Sequence, residues 1–170
     1  MAAGCFALLG KLGIFYFAMT IAALTPIYLR PHHLLCILTY RGYGYGDEFV
    51  TNFNALVAQI NAGAAMLVRR GPDAICAPLC QAKIRNDFHC DELSTYARDD
   101  QAEQTLLPLL GDDMISGRVS FTLDHPKAAF LRQEFKSGRI RQACQGCQWF
   151  AFCSEIADQD FSGTLLLPTT

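Results

Sequence analysis

The sequence is poor in charge and has no excess of positive charge. Charged residues make up 18% of the 170-residue chain, against roughly 25% in a typical globular domain. The 14 Lys and Arg are outnumbered by 16 Asp and Glu, which gives a formal net charge of −2. A general nucleic-acid-binding protein presents a basic surface, and this composition does not supply one. We therefore predict no nucleic-acid partner.

The sequence also lacks the short motifs of the common nucleotide-dependent and hydrolytic enzymes. It contains no Gly-x-Gly-x-x-Gly turn, no phosphate-binding loop and no Gly-x-Ser-x-Gly nucleophile elbow. The glycine-rich stretch at 42–46 has neither the lysine nor the hydroxyl residue of a nucleotide loop, and we interpret it as a turn. The sequence therefore assigns no catalytic residue and no substrate.

Apolar residues are abundant, and their spacing predicts several helices. Hydrophobic residues make up 51% of the chain, which excludes an intrinsically disordered protein. Phe49, Phe53, Leu56 and Ile60 recur at helical spacing between the acidic residues 47–48 and Gly63. The other predicted helices run from Pro31 to residue 38, over 93–107 before Pro108, and from Pro126 to Gly138.

Two short segments have the features of β-strands. Residues 66–68 are an apolar run before a Gly-Pro-Asp turn, and Val119, Phe121 and Leu123 alternate with less apolar residues. The fold class that we predict is mainly α with a small β-sheet (α+β). In this prediction a compact single domain spans 27–170, and a cysteine-rich metal site joins a central loop to the C-terminal segment.

The N-terminal region is an apolar extension, 1–26, with three possible origins. The 18 residues from 12 to 29 carry no charge, which is close to the length of a membrane-spanning helix. The segment is a membrane anchor or export signal, or a buried helix, or an artefact of a mis-assigned start, with Met19 as the true first residue. A membrane partner and anchoring through 12–29 are expected only if the extension is real. Otherwise we expect a cytoplasmic protein.

Three cysteines near the C-terminus have the spacing of metal ligands. Cys144, Cys147 and Cys153 form a Cys-x2-Cys-x5-Cys array within ten residues. Two thiolates separated by two residues can bind one metal centre, and Gly146 relaxes the turn between them. Three unrelated cysteines would rarely fall at such spacing. The array therefore predicts a metal site that needs at least one further ligand.

A second group of cysteines supplies candidates for that further ligand. Cys76, Cys80 and Cys90 follow the first predicted strand, in a segment that we expect to be a loop because Pro78 opposes helix formation. We predict that this loop folds against the C-terminal array and that the two groups share one centre. Cys5 and Cys36 are isolated, and we interpret each as a small buried hydrophobic residue.

Two adjacent histidines stand at the start of the first predicted helix. His32 and His33 lie four and three residues before Cys36, so either histidine could share a helix face and a metal with that cysteine. A helix-start histidine that donates to a backbone carbonyl is the simpler interpretation. We therefore leave both histidines out of the predicted ligand set.

Three segments of the chain resemble a known family. Residues 27–36, 71–78 and 139–149, which include the His-His pair and the Cys-Gln-Gly-Cys motif, look like the prokaryotic family catalogued as domain of unknown function 1284. No activity is established for that family, and its cysteines have led to the suggestion of an iron–sulfur cluster. The resemblance extends from about Ile27 to the end of the chain. It supports these candidate ligands: Cys76, Cys90, Cys144, Cys147 and Cys153, with Cys80 matching less well.

These patterns lead to one functional hypothesis and two alternatives. The first is a cytoplasmic iron–sulfur protein, with a 4Fe-4S cluster that carries electrons or senses redox state, and with an unknown redox or protein partner. The apolar residues Trp149, Phe150 and Phe152 favour it, because they would limit water at a cluster. The alternatives are a zinc-stapled structural or interaction module, and an exported or membrane-anchored protein whose eight cysteines form disulfides.

Overall fold

The computed structural model describes residues 25–81 and 90–167. The predicted N-terminal extension, the alternative start at Met19 and the isolated Cys5 lie outside the described residues, apart from the last two positions of the extension. Within the two described stretches, no helix combines the length and apolar character that crossing a bilayer requires.

Seven α-helices and two short 3₁₀ turns make up most of the described chain. The 3₁₀ turns are Ile37–Thr39 and Gln142–Cys144. The α-helices are α1 (His33–Cys36), α2 (Asp47–Asn61), α3 (Ala77–Gln81), α4 (Leu93–Leu110), α5 (Asp112–Ile115), α6 (His125–Lys136) and α7 (Phe150–Asp158). With the small sheet described next, this composition confirms the predicted α+β fold class.

The sheet has two parallel strands, β1 (Ile27–Leu29) and β2 (Met66–Val68). The prediction of β2 is confirmed, but the predicted partner strand at 119–123 is wrong. That segment contributes only an isolated antiparallel bridge between Phe121 and Met66. The true partner, β1, was hidden in the sequence because its three residues end the long uncharged N-terminal run and give no alternation of their own.

Helix α2 shows how the apolar pattern becomes packing. Asp47 and Glu48 occupy its first turn, where carboxylates interact favourably with the helix dipole. The helix is followed by Gly63 at φ 90°, a conformation that glycine adopts without strain. The predicted apolar face is buried as expected: Phe49, Phe53, Leu56, Val57 and Ile60.

Prolines are tolerated at two places where the sequence predicted helix breaks. Pro78 is the second residue of α3, and proline is acceptable in the first turn because the N–H it lacks has no partner within the helix. The loop predicted around Pro78 is therefore a short helix at this point. Helix α4 continues through Pro108 to Leu110 and ends before Gly111, whose φ is 85°.

The segment after β1 enters the centre of the molecule. Leu34, Leu35, Ile37 and Leu38 are all buried, and they lie on one side of α1 and the 3₁₀ turn that continues it. Helices α6 and α7 pack against this turn, and α4 packs against the second 3₁₀ turn at Gln142–Cys144. The N-terminal and C-terminal parts of the described chain are thereby brought together.

Candidate metal centre

A cavity of about 430 Å³ lies between α1, the start of α4 and the C-terminal segment. All seven described cysteines are free thiols, and six of them line this cavity. The cavity-lining cysteines are Cys36, Cys76, Cys90, Cys144, Cys147 and Cys153. The remaining described cysteine, Cys80, is exposed and interacts with Cys90. Members of both cysteine groups predicted from the sequence therefore line one cavity.

Four of these thiols form a mutually interacting set, which we call the four-thiol group: Cys36, Cys144, Cys147 and Cys153. The Cys36 thiol interacts electrostatically with each of the other three, and Cys144 does so with Cys153 and Cys147. The members come from the end of α1, the second 3₁₀ turn, the turn after it and helix α7. A fourth thiol thus joins the predicted array from outside the central loop.

The interpretation of Cys36 as a buried core residue is wrong. The described side chain is exposed, and that exposed surface faces the cavity. Residues 34, 35, 37 and 38 occupy the core side of this segment. At about 100° per residue, position 36 falls on the opposite side. The apolar residues on both sides of Cys36 were the signal in the sequence, because their helical spacing leaves Cys36 on the opposite face.

The surroundings of the four-thiol group raise the pKa of three of its thiols, Cys36, Cys144 and Cys153, and so favour their protonated form when no metal is bound. Cys36 is open to the cavity, but the protein around the cavity shields its thiol from bulk water; this desolvation, and then the neighbouring thiols, raise the pKa of Cys36 well above its ordinary value. Burial raises the pKa of Cys144 to about 11, against the opposing charge of Arg141. Burial also raises the pKa of Cys153, whose Sγ accepts a hydrogen bond from Thr39 Oγ1 at 3.3 Å. Metal binding here must therefore displace protons.

Arg141 places a positive charge beside the four-thiol group. Its guanidinium donates to Phe150 O at 3.1 Å and to Ser154 Oγ at 2.8 Å, and it lies 4.3 Å from the centre of the Phe150 ring. Its charge also lowers the pKa of the Cys144 thiol, against the effect of burial. The buried Nε of Arg141 has no hydrogen-bond partner in the part of the chain that the structure describes.

The other three thiols, Cys76, Cys80 and Cys90, form what we call the three-thiol group. The thiol of Cys90 interacts with the thiols of both Cys76 and Cys80. The interaction with Cys76 lowers the pKa of Cys90 to about 6, and it raises the pKa of Cys76. The central loop thus reaches the cavity as predicted, but its thiols interact mainly with one another.

His33 and Asp73 lie directly beside the three-thiol group. The ligand atoms of His33, Asp73 and Cys76 all lie within 4.8 Å of one another, and no other such group of three occurs within 25–81 and 90–167. His33 Nδ1 donates to Asp73 Oδ2 at 2.7 Å. Burial pushes the pKa of Asp73 upwards, but His33 and the backbone donors outweigh it and lower that pKa to about 2.

His32 belongs to a second polar network, whose other members, Arg30 and Asp99, are fully buried. Its Nδ1 donates to Asp99 Oδ1 at 2.7 Å, and Asp99 also accepts from Arg30 Nε and Nη2 at 3.0 and 2.7 Å. Arg30 Nη1 in turn donates to the carbonyl of Cys90 at 2.6 Å. Burial lowers the pKa of His32 to about 4, so the ring is neutral at pH 7. Both histidines therefore bond to carboxylates, and the interpretation that they donate to backbone carbonyls is wrong.

Comparison with known proteins identifies a family but no function. The model of the family described as protein of unknown function DUF1284 matches residues 44–153. The match begins later than the expected Ile27, so it contains six of the described cysteines but neither Cys36 nor His33. No curated protein and no solved structure matches the chain. Because the match spans well over half of the 170 residues, the chain belongs to the DUF1284 family.

Proposed function

We propose that this protein binds an iron–sulfur cluster through Cys36, Cys144, Cys147 and Cys153, and that it transfers electrons or senses redox state. The observation that carries the proposal is the convergence of these four thiols on one cavity from two segments far apart in the sequence. Four cysteine thiolates are the usual ligand set of a 4Fe-4S cluster. The cluster supplies reversible one-electron chemistry, and the protein supplies the ligands and their surroundings.

The spacing of the four thiols favours a cluster over a single zinc ion. Zn–S bonds of about 2.3 Å in a tetrahedral site bring the sulfur atoms to about 3.8 Å from one another. Among the described residues, the one set of three potential ligands whose atoms all lie within 4.8 Å of one another is His33, Asp73 and Cys76. No three thiols of the four-thiol group are therefore that close together. In a cubane each thiolate binds a different iron, so the four sulfurs stand further apart.

Hydrogen-bond donors around the four-thiol group suit a negatively charged cluster. Thr39 Oγ1 donates to the Cys153 sulfur, and Arg141 places its charge beside Cys144. Such donors stabilise the reduced, more negative state and raise the reduction potential. A cluster sulfur next to Cys144 would also offer an acceptor to the buried Nε of Arg141, which has no partner among the described residues.

An aromatic edge lines the same cavity as the four-thiol group. The rings of Trp149 and Phe152 pack edge to face at 5.9 Å, and Tyr45 and Tyr43 extend this packing at 5.8 and 5.7 Å. All four residues line the cavity. An apolar edge limits access of water and oxygen to a cluster. Because Tyr43 is 66% exposed, the same edge reaches the surface where a redox partner would approach.

Anaerobic purification followed by metal and sulfide analysis tests the proposal. We expect about four irons and four sulfides per chain, with the broad visible absorption of a thiolate-bound cluster that bleaches on reduction. Colourless protein with stoichiometric zinc and no sulfide, even after anaerobic reconstitution, would instead support a zinc-stapled module.

Counting thiols separates the metal proposals from the disulfide alternative. The count is made under denaturing conditions on metal-stripped protein that has been kept from air. Six or more free thiols per chain would contradict a disulfide-bonded protein, whereas an absence of free thiols would contradict both metal proposals.

A further inference from the structure

We infer that the protein has a second metal site, which binds a single divalent ion of the zinc class through the imidazole of His33, the carboxylate of Asp73 and the thiolate of Cys76. This site uses none of the four ligands proposed for the cluster, so it goes beyond the proposed function. Imidazole, carboxylate and thiolate are all ordinary zinc ligands.

The distances among these three side chains match the size of one ion. Their ligand atoms all lie within 4.8 Å of one another, and His33 Nδ1 is 2.7 Å from Asp73 Oδ2. Zinc, with bonds of about 2.0–2.3 Å, holds its ligand atoms roughly 3–4 Å apart. The thiol would approach, and the imidazole and carboxylate would separate, by about 1 Å or less. Small side-chain rotations are sufficient for such shifts.

The three ligands are buried, and their charges suit a dication. The side chains of His33 and Asp73 are 13% and 1% exposed, and Cys76 is 3% exposed. A buried carboxylate and a buried thiolate are costly unless a cation compensates them, and one divalent ion balances both charges. The buried guanidinium of Arg30 does not supply this compensation, because it is paired with Asp99 at 2.7 Å.

Backbone donors orient the Asp73 carboxylate towards the proposed ion. Its Oδ1 accepts from the N–H groups of Ile75 and Cys76 at 3.0 and 3.1 Å, and its Oδ2 accepts from the N–H of Arg30 at 2.8 Å. A carboxylate that binds a metal is itself usually hydrogen-bonded. The ion takes the place of the proton between Asp73 Oδ2 and His33 Nδ1. That proton moves to Nε2, and the Cys76 thiol releases its own.

The turn that carries Asp73 and Cys76 is fixed by contacts outside the site. The N–H of Ala74 donates to the carbonyl of Tyr28 in β1 at 3.2 Å. The carbonyl of Ala74 accepts from Asn52 Nδ2 in α2 at 2.9 Å. Ligands that are ordered before binding lose less conformational freedom when the ion arrives.

The site keeps one coordination position for a ligand from the cavity. Three protein ligands leave the fourth position of a tetrahedral ion to water, which is typical of catalytic rather than structural zinc. His33 and Cys76 both line the cavity, so the ion would lie in its wall. Water or a polar atom of a bound molecule would therefore reach the ion from the cavity.

The test counts the atoms bound to zinc in the full chain, loaded first with iron and sulfide without oxygen and then with one equivalent of Zn²⁺. X-ray absorption at the zinc edge should show one sulfur at about 2.3 Å and three nitrogen or oxygen atoms at about 2.0–2.2 Å. Two or more sulfurs per zinc would overturn the inference, because the ion would then lie among the thiol groups. Iron and sulfide contents report on the cluster alone, so failure of the cluster and failure of this site are read separately.

Matched variants test the ligands one at a time by competition with a chromophoric zinc chelator. Cys76→Ser, His33→Gln and Asp73→Asn should each keep the iron and sulfide but weaken zinc binding by at least about 100-fold, the upper end of the loss expected for an outer partner of a ligand. Cys80→Ser removes an exposed thiol of the same segment and should bind zinc as the parent does. His32→Gln should do the same, because His32 is held by Asp99.

The variants can also contradict the inference. It is overturned if the parent binds no zinc, if Cys76→Ser and His33→Gln bind zinc as the parent does, or if Cys80→Ser loses zinc as Cys76→Ser does. Circular dichroism shows whether each variant is folded. Where a ligand variant does not fold, the sulfur count in the parent decides the question.

Discussion

Replacing Cys36 by Ser tests whether this cysteine is a cluster ligand or a core residue. Cys36 is the member of the four-thiol group that the sequence did not reveal, and its exposed surface faces the cavity. In metal-free protein the substitution should change the free energy of unfolding by no more than about 0.5 kcal/mol, as for other exposed positions. If Cys36 were a core residue, the same substitution would lower the free energy of unfolding further, because the serine hydroxyl would be buried without a hydrogen-bond partner.

In cluster-loaded protein the same substitution should have a large effect. Cys144, Cys147 and Cys153 are local in sequence, so Cys36 is the member of the group through which a cluster would close the long loop. In the chain-entropy model, closing a loop of about 100 residues stabilises the folded state by about 4.7 kcal/mol. Cys36→Ser should therefore lose iron and sulfide together with several kcal/mol of cluster-dependent stability.

Urea unfolding of loaded and metal-free protein measures both effects. With a denaturant slope of about 2 kcal/mol per M, the loaded midpoint of Cys36→Ser should fall by about 2 M relative to loaded parent. Cys80→Ser, which is outside the four-thiol group, serves as the control and should keep the parent's loaded midpoint. If Cys36→Ser retains about four irons and four sulfides with an unchanged loaded midpoint, the ligand assignment is refuted.

Three further variants test the surroundings of the two thiol groups. Asp99→Asn removes the charge that compensates the buried Arg30 and should cost about 3–5 kcal/mol in urea unfolding; a loss below 1 kcal/mol would contradict the buried ion pair. The folded-state pKa of Asp73 is about 2, below its ordinary value of 3.8, so its contribution of about 2 kcal/mol is present above pH 4 and lost as the pH falls towards 2. Asp73→Asn should therefore flatten the dependence of stability on pH between 4 and 2, followed by circular dichroism; an unchanged slope would exclude this role. Thr39→Val removes the hydrogen bond to Cys153 and should lower the reduction potential of the loaded protein in a redox titration; an unchanged or higher potential would show that the bond does not tune the cluster.

The fold was predictable wherever one face of an element repeats over several turns. Helix α2 was predicted from its apolar spacing because its fifteen residues carry that pattern over four turns. Strand β1 was missed because three residues are too few to show a period. Apolar and less apolar residues do alternate at 119–123, but a segment becomes a strand of a sheet only where the edge of another strand is available for backbone hydrogen bonds. That condition depends on tertiary packing and is not visible in the sequence.

The candidate site was predictable where its residues are neighbours in the chain. The spacing of Cys144, Cys147 and Cys153 predicted them as candidate ligands, and each of them lines the cavity. Cys36 has no cysteine near it in sequence, and only the packing of α1 against the C-terminal segment brings it to the other three. Asp73 and Asp99 were missed for the same reason, since each becomes a histidine partner through contacts 40 and 67 residues apart.

The position of Cys36 in the chain determines how long the four-thiol group stays incomplete during synthesis. Cys36 is translated early, whereas the other three thiols of the group all follow residue 143. The last proposed cluster ligand, Cys153, follows Cys36 by on the order of 6–23 s at typical rates of about 5–20 residues per second. A newly made chain would therefore present Cys36 alone until its C-terminal segment is made, and iron–sulfur insertion would be a late step that acts on a nearly finished fold.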